Sequence, residues 1–187
     1  SSITSLDIGG GLGIRYRDET PLSPADLAAA VLPQVRQSEL MLTLEPGRYL
    51  VGSAGVLLTT ALSRKHSGGK DLVIVDAGMN DLVRPSHYMA YHEMVELERA
   101  GRGAAEVDVV GPVCETGDFL ARDRELPAVE RGERLAVLGA GAYGFVMASN
   151  YNTRPRAAEV MVDAGRWWVA RPRETVEELY RSERVAP

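Results

Sequence analysis

The sequence predicts an α/β segment followed by an all-β domain, with the boundary near residue 55. Apolar runs with strand character at residues 3–8 and 40–44 flank a stretch with helical character, which is the order of a β-α-β unit. After residue 55 the apolar runs are short and recur between turn-forming residues, a pattern typical of all-β domains. We therefore expect two domains, residues 1–54 and residues 55–187.

The helix of the α/β segment has a clear start signal. Ser23 is a good N-cap, Pro24 suits the first helical position, and the alanine-rich stretch up to Leu32 favours a helix. Pro33 is expected to kink or end this helix, because proline has no N–H and its ring clashes with the preceding turn. The helix between the two strands predicts that the strands are parallel neighbours.

The predicted β domain begins with a hairpin. Residues 56–62 and 71–76 frame a polar turn that holds Lys65 and Lys70, the two lysines of the chain. Further strands are predicted at residues 106–110, 134–138 and 159–162. Residues 174–184 carry apolar side chains at helical spacing, which predicts a C-terminal amphipathic helix with one face packed on the sheet.

Composition limits the classes of function. The 187 residues are 45% hydrophobic, enough for a sizeable core, and the net charge of −5 argues against nucleic acid as a main partner. The sequence has neither an apolar run of roughly 18–20 residues, as a membrane span needs, nor a signal-peptide pattern at its start. The single cysteine excludes an internal disulfide, so we expect a cytoplasmic protein without a membrane partner.

A glycine run near the start predicts a phosphate site. Gly9, Gly10 and Gly11 follow a short apolar strand, and residues without Cβ let backbone N–H groups approach an anion closely. No Gly-Lys-Ser/Thr follows, so the run is not a P-loop, and Ile14 stands where the dinucleotide fingerprint needs glycine. A tight strand-to-helix turn without a ligand stays open as the alternative.

A second cluster follows the strand at 40–44. Glu45, Pro46, Gly47 and Arg48 come directly after it, and in parallel α/β folds the chemistry lies at the carboxyl ends of strands. A carboxylate and a guanidinium separated by a rigid Pro-Gly corner can serve two ends of one ligand, the guanidinium an anion and the carboxylate a protonated ring nitrogen.

Two further patterns are less informative than they look. Residues 139–144 match the dinucleotide fingerprint, but residues 149–155 are rich in turn formers where that motif needs a helix. His87, His92 and Glu93 match no zinc spacing, so surface or dimer-contact roles are favoured for them and no metal site is predicted.

Five motifs together resemble the diaminopimelate decarboxylases, pyridoxal-phosphate enzymes of the alanine-racemase-like barrel type. In chain order they are residues 7–13, 45–48, 84–88 (Arg-Pro-Ser-His-Tyr), 111–118 (containing Cys-Glu-Thr-Gly-Asp) and 139–144. The resemblance implies that residues 1–54 are the last strands of a (β/α)8 barrel and that an antiparallel β-barrel or sandwich follows. It also implies that the chain corresponds to a C-terminal part of such an enzyme.

The resemblance implies a role for each matching residue. Gly9, Gly10, Gly11 and Tyr143 would hold the cofactor phosphate, and Glu45 with its neighbours Pro46 and Gly47 would hold the ring nitrogen. Arg48 would reach cofactor phosphate or substrate carboxylate. The substrate would be bound by Arg84, Tyr88, Tyr143 and Glu115. Cys114 would donate the proton that replaces CO2, entering with Glu115 from the other subunit of a homodimer.

The implied reaction is decarboxylation of meso-2,6-diaminopimelate to L-lysine. In the family a lysine carries the cofactor, and neither Lys65 nor Lys70 suits that task, because both flank a polar turn. The chain by itself is therefore expected to be inactive until the lysine-bearing half completes it. Two alternatives stay open: a catalytically silent β-domain that binds a partner or dimerises, and a dinucleotide-binding enzyme that uses residues 139–144.

Overall fold

The structure is a computed structural model that describes residues 3–98 and 101–184. Its strands are β1 (Ser5–Asp7), β2 (Met41–Thr43), β3 (Leu57–Ser67), β4 (Lys70–Val75), β5 (Met94–Glu96), β6 (Ala104–Val110), β7 (Phe119–Pro127), β8 (Arg134–Val137), β9 (Glu159–Asp163) and β10 (Arg166–Arg171). Its α-helices are α1 (Pro24–Ser38), α2 (Gly47–Val51), α3 (Arg84–Tyr88) and α4 (Val176–Tyr180), with short 3-10 turns at Gly52–Ala54, Phe145–Met147 and Tyr151–Thr153. None of the helices in these ranges is long and apolar enough to cross a membrane.

The first unit has the predicted β-α-β order, and β1 and β2 pair in parallel with Leu6 opposite Leu42. Helix α1 starts with a capping box between Ser23 and Asp26. It continues through Pro33, so of the two expected outcomes, a kink or an end at this proline, the end is wrong. Proline removes one hydrogen bond of the helix, and the bonds on either side carry α1 on to Ser38.

The six-stranded sheet has the order β5-β8-β3-β4-β6-β7. The predicted hairpin is present as β3 and β4, joined by a turn at Gly68 and Gly69, which both have positive φ. The prediction of a purely antiparallel domain is wrong, because β4 and β6 pair in parallel. The 28-residue connection from residue 76 to residue 103 returns the chain to the same end of the sheet, as a parallel neighbour requires.

The two outer strands of this sheet, β5 and β7, lie against each other, so the sheet is nearly closed. Arg124 of β7 donates through Nη1 to the His92 carbonyl oxygen, just before β5, over 2.7 Å. The core lies between the sheet's own strands and the loops that cross it. Its buried apolar residues are Ala61, Val73, Val75, Ala77, Leu82, Met94, Val107, Val109, Leu120, Ala121, Leu126, Val129, Leu135 and Val137.

The C-terminal part forms a separate hairpin of β9 and β10, followed by α4. The strand predicted at 159–162 is confirmed in β9. The predicted C-terminal helix is shorter than residues 174–184, and none of its residues is buried, so the expected packing on the sheet is wrong. The Thr175–Glu178 capping box accounts for where α4 starts, and Val176 and Tyr180 both stay half exposed.

The start of α4 is tied to the loop before β9 by Glu174. Its Oε2 accepts from Asn150 Nδ2 over 2.7 Å and from Arg156 N over 2.8 Å, and its Oε1 accepts from the Arg156 guanidinium. The hydrogen bonds from Arg156 lower the pKa of Glu174 to about 2. A carboxylate with a depressed pKa stabilises the fold above its unfolded pKa and loses that effect as the pH falls through its folded pKa.

We expect Glu174→Gln to lower the free energy of unfolding by about 1 kcal/mol at neutral pH, the small value appropriate to a partly exposed ion pair. The difference from the unmodified chain should shrink as the pH falls from 4.5 towards 2. Urea unfolding at a series of pH values measures this, with Glu183→Gln at an exposed site of the same segment as control. A difference that is independent of pH would contradict the account.

Candidate active site

The glycine run lies at the carboxyl end of β1, beside the end of β2. Gly9 and Gly11 have positive φ, and the Gly9 carbonyl accepts from Glu45 N over 2.8 Å. A Cβ on Gly10 would lie 2.7 Å from the Glu45 carbonyl oxygen, so only glycine fits there, whereas Gly9 and Gly11 face open space. The strand ends thus bring the glycine run and Glu45 together, as the parallel pairing predicts.

Not every N–H of the run is available for an anion. The Gly9 N–H already donates to Asp7 Oδ1 over 2.7 Å. Within residues 3–98 and 101–184, the N–H groups of Gly10 and Gly11 donate to no acceptor. An anion at this place is therefore a ligand for Gly10 and Gly11 rather than for all three glycines.

The loop at residues 139–144 packs against the segment that follows Glu45. Ala140 N donates to the Gly55 carbonyl over 2.8 Å, and Gly141 N donates to the Gly52 carbonyl over 3.1 Å. A Cβ on Gly141 would lie 1.9 Å from the Val51 carbonyl oxygen, so the contact requires glycine. This is the physical reason for the glycines that imitate a dinucleotide fingerprint, and a three-residue 3-10 turn follows them instead of the helix that the fingerprint needs.

This packing places Tyr143 over Arg48. The guanidinium carbon of Arg48 lies 5.4 Å from the centroid of the Tyr143 ring, within the range of a cation–π contact. Tyr143 has a φ of 59°, a left-handed conformation that is uncommon outside glycine and is held here by the loop. Three motifs that are far apart in sequence therefore meet at one place: the glycine run, Glu45 to Arg48, and Tyr143.

Arg84 and Tyr88 stand at opposite ends of α3 and differ in exposure. Arg84 is only 6% exposed, and its Nη1 lies 2.8 Å from His92 Nε2. Its guanidinium also lies 4.7 Å from the centroid of the Tyr16 ring. Tyr88 is 58% exposed and packs edge-on against His87.

His92 is where the sequence interpretation of the histidines fails. The prediction of a surface or dimer-contact position is wrong, because the exposed fraction of His92 is 0%. Its Nδ1 lies 2.9 Å from the Leu138 carbonyl oxygen. Burial lowers the pKa of His92, and the charges of Arg84 and Arg124 lower it further against the opposing effect of the Leu138 carbonyl. Its spacing from Arg84 alone gave no signal of this contact.

Cys114 and Glu115 lie on the exposed loop between β6 and β7. The loop is held by Asp118, a buried carboxylate that accepts from Met79 N over 2.7 Å and from Val113 N over 2.5 Å. The sequence places Asp118 in the motif at 111–118 but gives no indication of this anchoring role. The thiol and the Glu115 carboxylate are thus presented on the surface by a fixed loop.

Glu115 faces a small pocket of about 240 Å³. Tyr151 lines it too, and its hydroxyl donates to Glu115 Oε2 over 3.2 Å, which raises the pKa of Tyr151. Within the part of the chain that the structure describes, no hydrogen bond, ion pair or ring contact joins Cys114 or Glu115 to the glycine run, to Arg48 or to Tyr143. Among the described residues, the predicted site residues therefore fall into three sets without such contacts between them: the glycine run with Glu45 to Arg48 and Tyr143, Arg84 with Tyr88 on α3, and Cys114 with Glu115.

The two lysines of the chain belong to none of these three sets. Lys70 pairs with Asp108 over 3.2 Å and with Asp123 over 2.5 Å, and these carboxylates raise the pKa of Lys70. Lys65 stands on the same exposed hairpin. Among the described residues, no group of three or more His, Cys, Asp or Glu side chains is arranged to hold a metal ion.

The sequence profile of a known family, described as the C-terminal sheet domain of pyridoxal-dependent decarboxylases, matches residues 19–141, more than half of the chain. The chain belongs to this decarboxylase family. The resemblance read from the five motifs is thereby confirmed, and so is the dependence of the family on pyridoxal. The nearly closed mixed sheet is the sheet domain of this fold.

The relatives of this chain include diaminopimelate decarboxylases, the enzymes that the five motifs resemble. The chain is 53% identical over 182 residues to the diaminopimelate decarboxylase of Pseudomonas fluorescens, covering 97% of this chain and 44% of that protein. The Helicobacter pylori diaminopimelate decarboxylase complexed with L-lysine superimposes with a TM-score of 0.89 at 40% identity, over 95% of this chain and 44% of that one. The lysine decarboxylase of Selenomonas ruminantium gives a TM-score of 0.71 at 26% identity, over 82% and 41%. The chain thus spans less than half the length of these relatives.

Proposed function

We propose that this chain is the C-terminal part of a diaminopimelate decarboxylase, which converts meso-2,6-diaminopimelate into L-lysine and CO2. The observation that carries the proposal is the meeting of the glycine run, Glu45 to Arg48 and Tyr143 at one place. The relatives named above support it, and one of them holds L-lysine, the product of this reaction. The single cysteine is in keeping with a cytoplasmic setting.

Residues 1–54 are proposed to be the last part of a (β/α)8 barrel, with the sheet domain following from residue 55. The parallel pairing of β1 and β2 across α1 supports this, because such a crossover is the repeating unit of that barrel. Met41 of β2 is 67% exposed, and Leu6 of β1 is also exposed. Further barrel strands would cover these apolar side chains and pair the open edges.

The residues present fit pyridoxal phosphate. Among the described residues the N–H groups of Gly10 and Gly11 donate to no acceptor, so both are available to an anion, and Gly11 borders open space. Arg48 adds a cation beside Tyr143. Glu45, held next to the glycine run by its backbone, would keep a ring nitrogen protonated, with Pro46 and Gly47 fixing the corner. When bound, the cofactor supplies the electron sink for decarboxylation, and this chain supplies binding and orientation.

The site would recognise the distal end of the substrate, which carries a second amino acid group. Ornithine and arginine have no such group at their distal end. Arg84 would clamp the distal carboxylate, because a guanidinium offers two parallel donors to a carboxylate. Tyr88 and Tyr143 would add hydroxyl contacts. Glu115 would bind the distal ammonium from the other subunit of a homodimer, which agrees with the lack of contacts between Glu115 and the glycine run among the described residues.

Cys114 is proposed as the proton donor. Its Sγ–H would deliver the proton that takes the place of CO2 in the active site of the partner subunit. The exposure of the thiol supports a role outside its own subunit's core. The fixed loop around Asp118 would hold the thiol in a constant position during this transfer.

The experiment that tests the function uses the complete protein, loaded with pyridoxal phosphate and given meso-diaminopimelate, L-ornithine, L-arginine and L-lysine separately. We expect CO2 and L-lysine from meso-diaminopimelate and at least 100-fold lower kcat/KM for the others, as expected when buried polar groups of the site are left unpaired. Equal activity on L-ornithine would contradict the substrate assignment. No decarboxylation of any substrate would favour the silent binding domain.

The chain alone is expected not to attach the cofactor covalently. A Schiff-base lysine must be neutral to attack, and the ion pairs that raise the pKa of Lys70 oppose this. After incubation with pyridoxal phosphate and borohydride, mass spectrometry should show no stoichiometric label on Lys65 or Lys70, whereas the complete enzyme should be labelled once per subunit. One of the two lysines labelled to completion would show that the cofactor chemistry has been misplaced.

A further inference from the structure

His92 is completely buried, and each of its ring nitrogens faces a group that can only accept or only donate a hydrogen bond. Nδ1 faces the Leu138 carbonyl oxygen over 2.9 Å, and a carbonyl can only accept, so Nδ1 carries the hydrogen. Nε2 faces Arg84 Nη1 over 2.8 Å, and a guanidinium can only donate, so Nε2 is the acceptor. The neutral ring protonated on Nδ1 is the state that satisfies both contacts.

The surroundings of His92 favour the same neutral state. Arg84 faces it from α3, Arg124 approaches it from β7, and the Tyr16 ring meets it edge-on with 5.3 Å between centroids. A protonated imidazole here would be a third positive charge beside two guanidinium groups, in a buried setting. The opposing group is the Leu138 carbonyl, which the neutral ring already uses.

The guanidinium of Arg84 is held on one side by two neighbouring rings. Its Nη1 is bonded to His92 and its face lies over Tyr16, while among residues 3–98 and 101–184 it forms no ion pair with a carboxylate. A buried guanidinium without a counter-charge is costly, unlike the paired Arg156 of the C-terminal part. The remaining N–H donors of the Arg84 guanidinium are therefore suited to an anionic ligand.

We propose that His92 is a positioning residue, which in its neutral form holds Arg84 so that the open side of the guanidinium meets the distal carboxylate of the substrate. This inference rests on the proposed function, since it assigns that carboxylate to Arg84. His92 touches no reacting atom and acts through the guanidinium. Tyr16 completes the arrangement by fixing the plane of both groups.

Two substitutions separate the two hydrogen bonds of His92. Asparagine can place a donor near the position of Nδ1 and keep the Leu138 contact, but it is too short to reach Arg84. Glutamine can place its oxygen near the position of Nε2 and accept from Arg84. His92→Asn therefore removes the positioning contact, and His92→Gln restores it.

The measurement is calorimetric binding of L-lysine and of cadaverine, the same diamine without the carboxylate, to the complete enzyme. We expect His92→Asn to weaken L-lysine binding about tenfold or more, as for loss of a hydrogen bond to a charged group, and cadaverine binding by no more than about twofold. His92→Gln should recover most of the L-lysine affinity. His66→Asn, on the exposed hairpin, is the matched histidine control and should change neither ligand.

The pH dependence gives a second readout that a purely structural residue would not move. Because the pKa of His92 lies below its ordinary 6.5, the contact is complete at neutral pH and is lost as the pH falls into the range where the ring is protonated. L-lysine affinity should therefore fall on acidification, and His92→Gln should lack this fall. This comparison decides the matter even where His92→Asn does not fold.

The outcomes distinguish this inference from the proposed function. If Arg84→Ala weakens L-lysine binding but His92→Asn does not, or if His92→Asn weakens both ligands equally, the positioning role is overturned while the function stands. If the wild-type enzyme binds L-lysine no better than cadaverine, the proposed function and the inference both fall.

Discussion

Cys114→Ala in the complete enzyme is expected to slow turnover of meso-diaminopimelate by about two to four orders of magnitude, the usual range for losing a general acid. The fold should tolerate the change, because the thiol is exposed and the loop is held by Asp118 rather than by the cysteine. Steady-state kinetics gives kcat, and the absorbance of bound pyridoxal phosphate, which should stay at one equivalent per subunit, reports the cofactor site.

A matched control lies two positions away on the same loop. Thr116→Ala changes an exposed side chain of similar size and should alter kcat by less than about threefold. An unchanged kcat in Cys114→Ala would remove the thiol from the reaction. Loss of bound cofactor in that variant would instead show that the cysteine contributes to cofactor binding rather than to proton donation alone.

Arg84→Ala is the second substitution that is expected to reduce activity strongly. We expect kcat/KM for meso-diaminopimelate to fall by about one to three orders of magnitude, because a charge-assisted clamp is lost and the substrate is misaligned. Arg84→Lys should recover only part of this, since an ammonium cannot offer the two parallel donors of a guanidinium. Bound cofactor should persist in both variants, because Arg84 contacts His92 and Tyr16 rather than the glycine run.

The control for the arginine series is Arg64→Ala on the exposed end of β3, which should leave kcat/KM unchanged. Circular dichroism must show a folded protein in each case, because Arg84 is buried. Loss of pyridoxal phosphate from Arg84→Ala with unchanged substrate kinetics would move this residue from the substrate to the cofactor.

Local sequence patterns were sufficient to predict the elements whose structure depends on residues close together in the chain. The Ser23 cap, the alternation of β3 and β4 around Gly68 and Gly69, and the parallel strands on either side of α1 follow from the residues themselves. The glycine run and Glu45 could be placed together for the same reason, because parallel neighbours end at one edge.

The remainder depends on contacts between distant parts of the chain, which one sequence does not reveal. Pairing of β4 with β6 is decided by the path of a long connection, and burial of His92 by closure of the sheet around it. The glycines of residues 139–144 looked like a nucleotide loop because close approach of two backbones needs glycine as much as a phosphate does. Asp118 likewise became an anchor only because Met79 comes to lie beside it.

Mixing two kinds of inactive subunit tests most directly whether the active site is shared between two subunits. Cys114→Ala subunits of the complete enzyme are combined with subunits in which the lysine proposed to carry the cofactor is replaced, and exchange is verified by mass. In each heterodimer one site carries both defects and the other carries neither, so we expect about half of wild-type activity per heterodimer from the two-fold symmetry. If verified heterodimers recover no activity, then Cys114 does not serve the active site of the partner subunit and the shared site is wrong.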